Sequence, residues 1–260
     1  VYEGALAAAR MASGSEPRVV LVEGGPGTGK SVVAINLLVA LTAEGLICKY
    51  VSRNAAPRDV FQAKLTGSMT KTKYESLFGG SGSFRDLEPN SYDVLIVDEA
   101  HRLNEKSGFY GNEGENQIKE IIASAKCTVF FLDEDQRVTL KDIGSKAAVR
   151  EFAEDRGAKV AEYQLASQFR CAGSDGYLAW LDYVLDIRET ANTTFDNEAY
   201  DFRVFDNPSD LHAAIEDRNA NNKARVVAGY CWSWASKKDP NAFDVTIGDD
   251  YKRRWNLGSD

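Results

Sequence analysis

One eight-residue segment constrains this chain more than any other: Gly24-Gly25-Pro26-Gly27-Thr28-Gly29-Lys30-Ser31. It fits the pattern GxxxxGK[ST], follows the β-branched run Arg18 to Glu23 (RVVLVE), and opens an apolar stretch from Lys30 to Leu41 that reads as a helix. Glycines let the backbone turn tightly and come close to an anion with no Cβ in the way. Successive N–H groups and the positive end of the helix then face that anion. The nucleotide-binding set read from the sequence is Gly24, Gly25, Pro26, Gly27, Thr28, Gly29, Lys30, Ser31 and Val32. Lys30 is expected to reach the β- and γ-phosphates and Ser31 to give a hydroxyl to Mg²⁺, so ATP with Mg²⁺ is the expected cofactor pair.

Around this segment apolar strand-like runs alternate with helical ones. Ile47 to Val51, Asp93 to Val97 (DVLIV) and Cys127 to Leu132 (CTVFFL) read as further strands, and Asn116 to Ala125 as a helix. The runs are continuously apolar rather than alternating, which predicts burial on both faces, as in a parallel sheet covered by helices. The expected fold is therefore α/β, a RecA-like P-loop NTPase. The pattern restarts near Val160. Tyr163 to Leu165, Asp201 to Phe205 and Lys223 to Tyr230 read as strands, Ser174 to Leu185 as an amphipathic helix, Ser209 as a helix cap, and the tail as a hairpin. Residues 1–160 are thus expected to form the nucleotide-binding lobe, and 161–260 a second, incomplete RecA-like lobe.

Two further motifs end on apolar strands, where ligands sit in an open α/β sheet. In Val94-Leu95-Ile96-Val97-Asp98-Glu99, Asp98 is the expected Mg²⁺ ligand beside Ser31, and Glu99 the general base that polarises water. In Asp133-Glu134-Asp135-Gln136, Gln136 can touch the γ-phosphate or the attacking water. Further on, Arg170 of Gln168-Phe169-Arg170 has the forked donors that suit a phosphate across a cleft. The catalytic set is Lys30, Asp98, Glu99, Gln136 and Arg170.

These motifs together resemble a superfamily 1 helicase ATPase, and most closely the Schlafen group 3-type DNA/RNA helicase domain family, from about Val19 to Leu257. The resemblance is carried by VVLVEGGPGTGKSVVAINLL, YVSRNAAPRDVF, DVLIVDEAHRLN, VFFLDEDQ, LASQFRCAGSDGYLAWLDYVL and ARVVAGYCWSW. It implies motif Ia around Ser52 to Ala56, where Ser52, Arg53 and Asn54 would touch single-stranded DNA or RNA, and motif IV at Gln168 to Arg170. Asp98-Glu99-Ala100-His101 spells the DEAH box of superfamily 2, but the Asp-x-x-Gln motif resembles superfamily 1. In the family a Gln upstream of the P-loop reads adenine, whereas the first Gln here is Gln62. The family's motifs V and VI follow the point where this chain stops, and the chain begins with Val1, as expected of an excised piece of a longer protein.

A nucleic-acid-dependent ATPase is the leading functional reading. A nucleotide-dependent switch without efficient turnover and a P-loop phosphotransferase are the alternatives. The net charge of −8 argues against coating nucleic acid by bulk charge, though not against a local basic groove. Lys64, Lys71 and Lys73 cluster near motif Ia, and Tyr230, Trp232 and Trp234 are candidates for base stacking, weighed against solvated and core positions. No apolar run reaches the roughly eighteen residues of a membrane span. The four cysteines are scattered and only two histidines are present, which is expected of free thiols in a reducing cytoplasm and not of a zinc site. The sequence leaves the oligomeric state open.

Overall fold

The computed structural model describes the chain except residues 12–15, 66, 109–110, 138, 168–174, 195–200, 230 and 255–260. Two compact units divide it, Val1–Asp196 and Asn197–Asp260.

The first unit is built on a six-stranded sheet, β1 (Arg18–Gly24), β2 (Cys48–Ser52), β3 (Phe78–Gly79), β4 (Tyr92–Asp98), β5 (Ala125–Leu132) and β6 (Lys159–Leu165). The spatial order is β3-β2-β4-β5-β1-β6, and every neighbouring pair is parallel. Successive side chains on a strand point to opposite faces, so each strand feeds two cores. Val20, Val22, Tyr50, Ile96 and Phe131 pack on one face with Leu37, Leu38 and Leu41 of α2 (Lys30–Ala43) and with Ala5, Leu6 and Ala9 of α1 (Tyr2–Arg10). Val19, Leu21, Leu95, Val97 and Phe130 pack on the other with Ile118 and Ile121 of α5 (Gln117–Ala123) and Val149 of α6 (Lys146–Asp155). Burial on both faces is why the strands read as unbroken apolar runs. Helices α3 (Ala55–Leu65) and α4 (Lys71–Leu77) follow β2, and α7 (Asp175–Val184) follows β6. No described helix is long and apolar enough to cross a membrane.

The strands expected before residue 160, the P-loop helix and the α5 helix stand where the sequence put them, to within a few residues. The restart near residue 160 reads differently. Tyr163 to Leu165, placed at the start of a second lobe, belongs to β6, which pairs with β1 from Arg18↔Lys159 to Gly24↔Leu165. The sheet thus takes in a strand beyond residue 160, and the compact unit runs on to Asp196.

In the second unit, α8 (Pro208–Asp217) is capped by Asn207, whose side-chain oxygen accepts from Ser209 N at 2.7 Å, with Pro208 at the first position. The cap is therefore Asn207 and not Ser209. The expected hairpin is present as β7 (Val245–Ile247) against β8 (Tyr251–Arg253). The expected strands at 201–205 and 223–230 are not strands among the described residues, and no parallel second sheet is present there. A β-branched run becomes a strand only beside a pairing partner; Val227 is instead 89 % exposed.

Candidate functional site

The parallel sheet brings the ends of β1, β4 and β5 together, because β5 lies between β1 and β4. β1 delivers the glycine-rich loop. Gly27 and Gly29 have φ of 78° and 87°, a left-handed conformation in which a side chain is strained. Gly29 is the N-cap of α2, no side chain caps that helix, and its first turn carries no acidic residue. Its N–H groups therefore face the loop without an internal anion. Thr28 Oγ1 donates to Gly25 O at 2.9 Å and braces the turn. Lys30 is buried, and its ammonium donates to Gly24 O at 2.6 Å and Gly25 O at 3.0 Å. It lies 4.0 Å from Asp133 Oδ2.

β4 delivers Asp98, which is 2 % exposed. Its Oδ2 accepts from Tyr50 Oη at 2.6 Å and its Oδ1 from Glu99 N at 3.0 Å, and the Ser31 hydroxyl also hydrogen-bonds it. Burial pushes this carboxyl above its ordinary range; the two hydroxyls and the Glu99 N–H pull the other way. Glu99 itself has φ 53°, uncommon for a residue with a side chain, and this turn carries its carboxylate to His101. Glu99 Oε2 lies 3.1 Å from His101 Nε2.

β5 delivers Asp133 and Gln136. Asp133 N donates to His101 Nδ1 at 3.2 Å. A backbone N–H can only donate, so Nδ1 is the acceptor and the ring proton sits on Nε2, directed at Glu99. His101, 1 % exposed, thereby bridges the second and third motifs. Asp133 Oδ2 accepts from Gln136 Nε2 at 2.8 Å, which fixes the amide beside the lysine. Burial raises the Asp133 carboxyl, opposed by the Lys30 ammonium and the Asp135 N–H.

A cleft of about 820 Å³ opens over these residues. It is lined by the loop and first turn from Pro26 to Val33, by Glu99 and Gln136, by residues 164–167 at the end of β6 and just beyond it, and by Val1. Its size lies within the range of small-molecule sites. The sequence-predicted Gly24 and Gly25 are not in the cleft lining; their carbonyls hold the Lys30 ammonium, and a Cβ on Gly24 would lie 2.5 Å from Thr28 Oγ1. Gln168, Phe169 and Arg170 lie outside the described residues, as does Tyr230.

The motif Ia residues are divided. Ser52 is fully buried and its hydroxyl donates to Asn54 O at 2.7 Å, which occupies it within the protein. Arg53 is half-buried and pairs with the buried Asp142 at 3.2 Å, while Asn54 is exposed. Lys64, Lys71 and Lys73 are all exposed on α3 and α4. Trp232 and Trp234 do not lie on a strand.

Sequence reasoning missed Tyr50, Asp133 and the bridging role of His101. The spelling Asp-Glu-Ala-His carried the signal for His101; nothing local marks Tyr50, whose partner is 48 residues away. It also missed Gly144, where a Cβ would lie 1.8 Å from Ala100 O, so that only glycine lets the loop before α6 lie against the Asp98–His101 turn.

A glycine-rich loop at a helix N-terminus, with the ends of two neighbouring strands beside it, defines a nucleotide-binding P-loop NTPase. The chain belongs to the family described as Schlafen group 3, DNA/RNA helicase domain, whose profile matches residues 17–260. No curated protein matches it. Among solved structures it is similar to a DNA replication initiation factor, at 15 % identity over 83 % of this chain and 57 % of that one, with a TM-score of 0.36. It is similar also to the Sulfolobus solfataricus SWI2/SNF2 ATPase core in complex with dsDNA, at 11 % identity over 62 % and 43 %, TM-score 0.35. A third is domain III of the Thermotoga maritima replication initiation protein DnaA, at 16 % identity over 84 % and 82 %, TM-score 0.34. The chain spans little more than half of the first of these proteins and less than half of the second.

Proposed function

We propose that this domain binds ATP with Mg²⁺ and hydrolyses it, and that single-stranded DNA or RNA governs that hydrolysis. The observation that carries the reading is the convergence of Lys30, Glu99 and Gln136 on one cleft, with Glu99 tied through His101 to Asp133.

The metal fits the donors present. Ser31 and Asp98 offer hard oxygen atoms in hydrogen-bonded contact at the loop, the donor type Mg²⁺ takes. Among the described residues no cluster of three metal-binding side chains exists. That suits an ion which completes its shell with substrate phosphates and water. Ser31 and Asp98 would hold it, and it would supply charge neutralisation of the phosphate oxygens.

The remaining work falls to the chain itself. The loop N–H groups and the α2 N-terminus bind the phosphates, which replace Gly24 O and Gly25 O as partners of the Lys30 ammonium. Gln136, anchored on Asp133, orients the γ-phosphate or the water. Glu99 accepts the water proton as the water oxygen attacks the γ-phosphorus and the bond from that phosphorus to the β–γ bridging oxygen breaks, releasing ADP, and His101 Nε2–H holds the carboxylate in its orientation. Arg170 is proposed to add charge stabilisation from beyond the described residues. Arg53 and Asn54 remain the proposed nucleic-acid contacts, with Ser52 shaping the turn that presents them.

Phosphate release by this chain, measured with and without single-stranded DNA and RNA, tests the reading. Inorganic phosphate released faster with a strand present supports it. Turnover indifferent to both strands removes the nucleic-acid half, and a phosphorylated acceptor in place of free phosphate favours the phosphotransferase.

A further inference from the structure

Tyr50 stands two residues ahead of motif Ia, and none of the motifs gives it a role. It sits on β2 opposite Ile96 of β4, two residues before Ser52 meets Asp98, and its side chain is fully buried on the α2 face of the sheet. A strand position under a helix needs only apolar volume, and a buried hydroxyl there costs stability unless it finds a partner. The partner here is Asp98 Oδ2, at 2.6 Å. With Tyr50 on Oδ2 and the Glu99 N–H on Oδ1, the carboxylate has a fixed rotation.

The ring of Tyr50 faces the opposite way, into an aromatic cluster. Phe61 of α3 meets it edge-on at 5.9 Å, and Phe78 of β3 lies 5.6 Å away. Phe78 stacks in turn on Phe61 at 5.6 Å and on Tyr74 of α4 at 4.6 Å. α3 follows Ser52–Asn54 directly and α4 comes next; the two helices expose Lys64, Lys71 and Lys73.

We propose that Tyr50 is a positioning residue for the metal-binding carboxylate: its hydroxyl sets the rotation of Asp98, and its ring ties that rotation to the α3–α4 layer. The inference rests on the reading of Asp98 and Ser31 as the Mg²⁺ site. A shift of α3 or α4, such as a strand bound along their lysines would produce, is transmitted to Asp98 through one rigid side chain.

Tyr50→Phe removes the hydroxyl and keeps the ring. The assay is binding of a fluorescent ADP analogue to this chain, first in EDTA and then titrated with MgCl₂, with a thermal melt of each variant. Loss of a hydrogen bond that orients a metal ligand typically costs about 10–100-fold in metal affinity. Tyr50→Phe is therefore expected to need about tenfold more Mg²⁺ while its affinity in EDTA stays unchanged. Phe61→Leu, which keeps the hydroxyl but loosens the ring, should shift the Mg²⁺ requirement in the same direction by a smaller factor. Asp98→Asn is the control and should abolish the Mg²⁺ dependence. If Asp98→Asn abolishes it and Tyr50→Phe titrates like the parent, the Tyr50 inference is overturned. A Phe61→Leu titration equal to the parent overturns the link to α3. If Asp98→Asn leaves the dependence intact, the metal reading itself fails.

Discussion

His101→Phe is the most informative single substitution, because the imidazole joins the Glu99 carboxylate on one side to the Asp133 N–H on the other. Phenylalanine fills a similar volume but supplies neither nitrogen. Asp133 N then loses its 3.2 Å acceptor in a site where Asp133 is 5 % exposed. An unsatisfied buried N–H costs about 1–3 kcal/mol. Glu99 also loses its 3.1 Å partner, but its side chain is 28 % exposed, so water substitutes and the added cost is about 0–1 kcal/mol. The sum, about 1–4 kcal/mol, corresponds to a fall in Tm of roughly 2–16 °C for a unit of this size. Turnover should fall further than stability implies. The carboxylate and the Gln136 loop no longer share a support, and a displacement near 1 Å in a reacting group costs about 10²-fold. Nucleotide affinity should change little, since His101 does not line the cleft. His101→Gln, with one donor and one acceptor, should recover part of both losses. The checks are a thermal melt, phosphate release at saturating ATP and binding of a fluorescent nucleotide. A variant that melts within 1 °C of the parent and turns over normally would refute the bridge.

Other outcomes follow from the same geometry. Glu99→Gln should keep nucleotide binding and slow phosphate release by about 10²–10³, the cost of one charge-stabilising group at a reacting centre; normal turnover would remove Glu99 as the base. Gly144→Ala should destabilise the protein by more than about 2 kcal/mol, because the added Cβ meets backbone at Ala100 and not a side chain that can move aside, and a thermal melt reads it directly. Asp93→Asn tests an electrostatic contribution outside the cleft. Burial works to raise the Asp93 carboxyl, but the Lys126 ammonium at 2.7 Å and the Ile47 N–H at 2.8 Å hold it below its ordinary value of 3.8. A depressed carboxyl contributes stability above its unfolded value and loses it as the pH falls through the folded one. Asp93→Asn should therefore cost about 1–2 kcal/mol at pH 7, and the difference from the parent should shrink as the pH falls below 3.8; a difference constant with pH would count against the pairing.

Much of this site was legible in the sequence because its chemistry is written in contiguous residues. Gly24 to Ser31 needs its glycines in one turn, and Asp98, Glu99 and Gln136 lie at or within a few residues of the end of an apolar strand, so spacing and composition locate them. The strands announced themselves for the same reason: burial on both faces leaves an unbroken apolar run. Contacts across the sheet left no local mark. Tyr50 looks like one more core residue until β2 is placed beside β4, and Gly144 looks like a turn glycine until its loop lies against Ala100. Short elements escaped for want of a period, as with β3, which has only two residues. Beyond residue 160 the strand-like runs carried no mark of what they would pair with. β6 does form, but it pairs with β1 of the first sheet, while the described parts of 201–205 and 223–230 form no strand. Pairing partners, and not propensity, decided each case.

The central claim is that the loop from Gly24 to Ser31 binds a nucleotide through Lys30 and the α2 N-terminus. Calorimetric titration of this chain with a non-hydrolysable ATP analogue and Mg²⁺, for the parent and for Lys30→Ala, tests it most directly. The account predicts one site per chain in the parent and an affinity at least about tenfold weaker in Lys30→Ala, from the loss of a charge-assisted contact. Equal affinity in the two proteins, or no binding by the parent, would contradict it.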